Sequence, residues 1–207
     1  MDKKMTTPQY VFFTGAPGSR WAAAGQSIEH LDIFNKTDRA PNRVYNYNGY
    51  PFHKGMYFGR GLPMECKLDK QYIDSAWTAV DDTKSQLVKG HDWSLCLDQI
   101  KITFPQSWTV LIYRPDIVSY QWWAEAGAEK IDYPRYIEFT DKIGILGVIN
   151  EQNKRILDYA CRNKCTWHYF NADWIEETFG YKTEVESRGK IPADDGFFDD
   201  VLVTVVK

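Results

Sequence analysis

Tyr10-Val-Phe-Phe-Thr-Gly-Ala-Pro-Gly-Ser-Arg-Trp21 is the stretch on which the fold turns. Its first part, Tyr10 to Thr14, is a short aromatic and β-branched run that reads as a buried strand. Gly15-Ala-Pro-Gly-Ser19 is a turn-rich loop. Arg20 to Leu31 then has helix-compatible composition, with three alanines ahead of Gln26, Ile28, Glu29 and Leu31. Strand, Gly-rich loop and helix in that order is the setting in which loop N–H groups and a helix N-terminus can face a phosphate. An ordinary tight strand-to-helix turn has the same sequence requirements.

Reading outward, Gln86-Leu-Val-Lys89, Thr109-Val-Leu-Ile-Tyr113 and Thr166 to Phe170 are further short strands, and Val201 to Val206 is expected as an added edge strand. Helices are expected over Asp69 to Lys84, over Trp93 to Thr103 and after Pro115. Another is expected over Tyr136 to Arg162, with interruptions at Gly144 and Gly147, and a last one over Asp173 to Phe179, with Asp173 as its N-cap. Residues 35–63, rich in Asn, Gly and Tyr, read as a long loop. Strands alternating with helices predict a layered α/β domain with a mostly parallel central sheet. Ligands of such sheets bind at the carboxyl ends of the strands. Gly15 to Arg20, Lys89-Gly-His91 and Arg114 to Ser119 all fall at such ends.

The chain has 207 residues, enough to bury a core as one domain over 1–207. Its 43% hydrophobic content and net charge of −3 argue against disorder, and the lack of a basic excess argues against a nucleic-acid partner. No apolar run is long enough to suggest a membrane span. The charged Met1-Asp-Lys-Lys start lacks the features of a signal peptide, so a cytoplasmic location is expected. The cysteines Cys66, Cys96, Cys161 and Cys165 are too sparse for a disulfide framework. Cys161, Cys165 and His168 lack the second ligand pair that a zinc site would use. No metal is expected.

Each strand-end motif suggests a chemistry. Gly15 and Gly18 permit close backbone approach, Ser19 can donate a hydroxyl hydrogen bond, and Arg20 can grip phosphate oxygens in a fork. The ATPase pattern G-x-x-x-x-G-K-[ST] is absent. His91 can serve as a general base, with Lys89 adding positive charge for an anionic donor. Arg114 follows an apolar strand directly, and Ser119 lies near a helix start, where hydroxyl and N–H groups hold phosphate.

The ordered set resembles the sulfotransferase family, which binds 3′-phosphoadenosine 5′-phosphosulfate (PAPS) in a three-layer, P-loop NTPase-like α/β domain. Tyr10 to Trp21 is similar to that family's first strand and 5′-phosphosulfate loop. Leu87-Val-Lys-Gly-His91 looks like the segment carrying its catalytic histidine. Trp108 to Arg114 with Ser119-Tyr-Gln-Trp122 looks like the segment that grips the 3′-phosphate. Trp167 to Asp173 is similar to a later strand end of the family. The resemblance implies His91, Arg20 and Lys89 as catalytic residues. It implies Gly15, Ala16, Pro17, Gly18, Ser19, Arg20, Trp21, Arg114 and Ser119 as residues binding PAPS or its product PAP. Ala16 and Pro17 stand where the family commonly has a lysine, and Ala24 stands near the glutamate of its carbohydrate branch, which leaves His91 as the base. The implied reaction moves a sulfuryl group to a hydroxyl or amine of a small-molecule or glycan acceptor. Residues 42–63 are the candidate acceptor lid and 185–207 a C-terminal extension. A nucleotide kinase on the same fold and a non-catalytic nucleotide-binding protein remain the alternatives.

Overall fold

A computed structural model describes residues 7–37, 67–125, 141–182 and 196–207, and the backbone of 44–47 and 50–54. In chain order its elements are β1 (Tyr10–Gly15), α1 (Trp21–Glu29), β2 (Val44–Tyr47), β3 (Tyr50–Lys54), α2 (Lys70–Asp74) and β4 (Gln86–Lys89). A 3-10 helix (His91–Leu95) follows. Then come α3 (Leu97–Thr103), β5 (Trp108–Tyr113), α4 (Asp116–Glu125), α5 (Lys142–Arg162), β6 (His168–Tyr169), α6 (Ala172–Phe179) and β7 (Leu202–Val206).

In a five-stranded sheet of order β4-β1-β5-β7-β6, in which β5 is central, β1 is the second strand. Its flanks are parallel, with Phe13 level with Lys89 and Gly15 level with Ile112. The far side is antiparallel, β5 with β7 and β7 with β6. The expected mostly parallel sheet is therefore corrected to a mixed one. β7 is also not an edge strand. It lies between β5 and β6, and Leu202-Val-Thr-Val-Val206 suits that interior place because it is apolar on both faces. Its one polar residue, Thr204, donates its hydroxyl to the Thr166 carbonyl at 2.7 Å.

Strand alternation sends neighbouring residues of β1 to opposite faces. Phe13 points toward α1, where a methyl group on Gly25 would sit 3.5 Å from its ring. Phe12 points the other way, onto Trp93 at 5.4 Å and Phe104 at 5.3 Å between ring centroids. α6 joins the α1 face through Phe179, which meets Phe34 and Trp108. Helices thus cover both faces of the sheet, and Val11, Phe12, Phe13, Val110, Leu111 and Ile112 are completely buried between them.

Several helices differ from their expected bounds. α5 runs unbroken through Gly144 and Gly147, held at its start by Asp141, whose carboxylate accepts from the N–H groups of Ile143 and Gly144. Interior glycine costs about 1 kcal/mol in helix propensity. The packing of Ile145, Ile149, Ile156 and Tyr159 outweighs it. The helix expected from Asp69 stops at Asp74. The one expected from Trp93 is split into the 3-10 turn and α3. α6 is capped by Asn171, which accepts from Trp174 N–H, and not by Asp173. Residues 35–63 hold a β2–β3 hairpin. The lid proposed for 42–63 otherwise falls largely outside the described residues, as does 185–195 of the C-terminal extension.

Candidate functional site at the strand ends

The ends of β4, β1 and β5 lie side by side, and the three strand-end motifs gather there. The centre is the loop after β1. Ser19 N–H donates to the Ala16 carbonyl at 3.0 Å, with Pro17 and Gly18 between them and Gly18 at φ +75°. This is the residue pattern of a type II turn, which needs φ > 0 at its third position. Both glycines are dictated by protein packing. A methyl group on Gly18 would run into the Ser119 carbonyl, and one on Gly15 would meet Ser19 Oγ and Trp21 Cβ, each at 2.7 Å. Ala16 is fully buried in a small apolar cluster with Trp123, Ile145 and Ile149. One of the two places where the resemblance would put a lysine is thus turned into the protein.

Ser19 is also fully buried, and its Oγ makes no hydrogen bond among the described residues. A buried hydroxyl without a partner is costly. A phosphate oxygen at the start of α1 would satisfy it, so this residue fits the anion that the resemblance implies.

On the β4 side stands His91. Its backbone carbonyl accepts from Thr14 Oγ1 at 3.0 Å and from Ser94 Oγ at 2.6 Å, which ties the 3-10 turn to β1. Its ring lies 6.2 Å from that of Trp21. Nδ1 is 2.9 Å from Asp92 Oδ1. The Gln152 amide nitrogen, from α5, is 3.2 Å from the same ring nitrogen and 3.3 Å from Asp92 Oδ1. A carboxylate at Nδ1 fixes the tautomer with its proton there, which makes Nε2 the basic nitrogen. All three side chains are buried.

On the β5 side stand two arginines. Arg114 donates through Nε and Nη2 to the two carboxylate oxygens of Asp200, at 2.8 and 2.7 Å. Its Nη1 reaches the carbonyls of Gly18 and Val118, each at 3.4 Å. Arg20 lies 3.7 Å from the same carboxylate. Its guanidinium sits over the rings of Phe197 at 4.2 Å and Trp122 at 4.8 Å. Arg20 caps α1 in the left-handed region, φ 63°. That conformation costs a non-glycine residue about 1 kcal/mol or more. Beside this group, burial and then the Asp116 carboxylate raise the Tyr113 phenol above its ordinary range, so it stays neutral.

Two sequence candidates have partners within the protein. Lys89 is buried and pairs with Glu29, in the last turn of α1. At about 1.5 Å per residue, that turn is roughly 12 Å along the helix from Trp21. Lys89 therefore does not join Arg20 and Arg114 in one cationic cluster. Ser119 lies inside α4, fully buried, and donates its hydroxyl to the Arg114 carbonyl at 3.2 Å. Its backbone carbonyl is the surface against which Gly18 packs.

Sequence reading passed over Asp92, Gln152, Asp200 and Asn153. Asn153 donates to the Arg114 carbonyl at 2.9 Å and to Asp116 at 2.6 Å. Of these only Asp92 carried a local signal, a carboxylate next to the candidate base. The others come from far along the chain. Among the described residues no group of His, Cys, Asp and Glu could hold a metal ion, and no helix is long and apolar enough to cross a membrane.

Fold and site together define a mixed α/β protein with a loop, a His–Asp pair and an arginine pair at adjacent strand ends. No protein-family model, curated protein or solved structure matches the chain.

Proposed function

We propose that the protein is a sulfotransferase that moves a sulfuryl group from PAPS to a hydroxyl or amine of a small molecule or glycan. The observation that carries this reading is the meeting of a buried His91–Asp92 pair with the Gly15–Trp21 loop and Arg114 at three neighbouring strand ends. One place supplies a base, the next a helix N-terminus with a buried hydroxyl, and the third a buried guanidinium. P-loop NTPase-like architecture belongs to the same proposal.

In this mechanism the loop, Ser19 and the start of α1 hold the donor's 5′-phosphate, and Arg114 with Arg20 holds its 3′-phosphate. His91 Nε2 takes the acceptor proton as the acceptor oxygen or nitrogen bonds to sulfur. The bond from sulfur to the bridging oxygen breaks, and PAP leaves with the electron pair. Charge growing on the leaving phosphate is met by donors already in place, the usual source of catalysis in such transfers. Asp92 holds the imidazole and stabilises its protonated form. No lysine takes part at the loop, and Lys89 acts by tying β4 to α1.

That last point favours a second reading, a nucleotide-binding protein without transfer activity. Titration calorimetry with PAP and ATP tests both. Wild type is expected to bind PAP more tightly than ATP, and Arg114→Ala to lose PAP binding. Wild type without PAP affinity would overturn the proposal. PAP binding without sulfate transfer to any hydroxyl or amine acceptor tested would favour the second reading.

A further inference from the structure

The antiparallel half of the sheet carries an aromatic group that the proposed chemistry does not use. Register sets Tyr113 of β5, Leu202 of β7 and Tyr169 of β6 in one row across the strands. Partners across a sheet share a face, and neighbours along a strand alternate. Ile112 lies on the α1 face, where a methyl group on Gly15 would meet both its Cβ and that of Trp21. The row from Tyr113 to Tyr169 therefore lies on the opposite face. Trp167 stands two residues before Tyr169 and shares that face. Its ring meets that of Tyr113 with centroids 5.9 Å apart. The three rings thus gather around Leu202. The group is open to solvent: Tyr169 is 63% exposed, and Tyr113, Trp167 and Leu202 are half-buried. The planes of Tyr113 and Trp167 are inclined at 57°, so the two rings make a corner and not a face-to-face stack.

Charge says what suits this corner. Other rings of the protein carry a protein cation, with Lys70 over Tyr10, Arg162 over Tyr159 and Lys207 over Trp108. Among the described residues, no lysine or arginine lies over Tyr113, Trp167 or Tyr169. Asp116 stands beside them, close enough for its charge to be felt at the Tyr113 phenol. Its two oxygens accept from the amides of Asn150 at 2.7 Å and Asn153 at 2.6 Å. Both amides are neutral, and no cation pairs with Asp116 among the described residues. Ring faces are negative, and so is the carboxylate, so the corner favours a positive guest. A primary ammonium brings three N–H donors that an aromatic and leucine surface cannot satisfy. A quaternary ammonium brings none. Its methyl groups match the apolar floor and walls, and its charge answers Asp116.

We propose that Tyr113, Trp167 and Tyr169, with Leu202 as floor and Asp116 alongside, bind the quaternary ammonium group of a small molecule of the choline type. The site goes beyond the proposed transfer reaction and uses none of its residues, so either stands if the other falls.

The test is NMR titration with choline, read at the Trp167 indole N–H signal, which is identified by its absence in Trp167→Phe. The control ligand is 3,3-dimethylbutan-1-ol, which has the shape of choline without its charge. Choline is expected to shift the signal saturably and to bind about tenfold more tightly than the alcohol. Tyr169→Ala is expected to weaken choline about fivefold, and Tyr169→Phe, which keeps the ring, to leave it unchanged. Asp116→Asn is expected to narrow the preference for choline over the alcohol. An unmoved Trp167 signal would overturn the site. Equal affinity for the two ligands would reduce it to an apolar patch and overturn the proposal. Undiminished choline binding by Tyr169→Ala would overturn the assignment of the rings. Binding to phosphatidylcholine vesicles without binding to free choline would overturn the small-molecule guest. Should Asp116→Asn fail to fold, the two Tyr169 variants decide, because that side chain is exposed and its loss leaves the core intact.

Discussion

The two flanks of the Gly15–Trp21 loop handle charge in opposite ways. On the β4 flank, His91, Asp92 and Gln152 are all buried and joined by contacts of 2.9 to 3.3 Å. On the β5 flank, Arg20 and Arg114 are fixed, but the Asp200 carboxylate that answers them is half exposed. A buried carboxylate beside an imidazole holds one tautomer in one orientation, which a base requires. An exposed carboxylate beside two arginines keeps that ion-paired group in contact with solvent. The loop serves both flanks. Trp21 faces His91, and the Gly18 carbonyl braces Arg114.

The largest expected effect tests the β4 flank as the seat of chemistry. His91→Ala should lower kcat by about 10²- to 10⁴-fold, the range for losing a general base, and leave PAP affinity unchanged. Steady-state turnover and calorimetry on the same preparation would show it. If PAP affinity fell with kcat, the flanks would not divide the work as described.

The loop that joins the flanks comes next. Gly18→Ala places a side chain at φ +75° and drives it into the Ser119 carbonyl, both backbone features that cannot relax separately. A loss of about 3 kcal/mol is expected, seen as a lower urea midpoint with an unchanged slope. An unmoved midpoint would mean that the loop is not anchored on α4. A smaller effect is expected on the β5 flank. Arg20→Lys keeps the charge but loses the planar fork and the cation–π contacts with the rings of Trp122 and Phe197, so PAP affinity should fall about tenfold. Wild-type affinity in that variant would show that charge alone suffices there.

What the sequence disclosed follows the range of the interactions concerned. The β1–loop–α1 unit was legible because Ala16-Pro-Gly-Ser19 carries its turn chemistry locally, and β5 ending in Arg114 was legible as an apolar run closed by a charge. The hairpin of β2 and β3 had a local signal too. Asn48-Gly49 between two tyrosines is the strongest short hairpin marker, and reading 35–63 as loop overlooked it. β7 was misplaced at an edge although its apolar residues on both faces suit a covered strand. The partners of the cations were not legible. Asp200 meets Arg114 from 86 residues away, Glu29 meets Lys89 from 60, and Gln152 meets His91 from 61. Nothing local marks such pairs, because each is set by how α5, α1 and the C-terminal turn pack on the sheet.

Gln152 gives the smallest and sharpest test of the contrast between flanks. Its amide nitrogen faces both His91 Nδ1 and Asp92 Oδ1, while its Oε1 is buried with no hydrogen bond among the described residues. Gln152→Leu therefore removes a useful donor and a costly unmet acceptor together. Stability should change by less than about 1 kcal/mol, since loss of the donor and relief of the acceptor oppose each other. Asp92 would lose the donor that steadies its carboxylate against the His91 ring, and kcat should fall several-fold, to about tenfold at most, with PAP affinity untouched. Gln152→Glu is the contrasting case. It sets a second carboxylate beside Asp92 in a buried place, and like charges so close are strongly unfavourable. It should cost more in both stability and kcat than the leucine variant does. If Gln152→Leu turned over at the wild-type rate, Asp92 alone would suffice to hold the base.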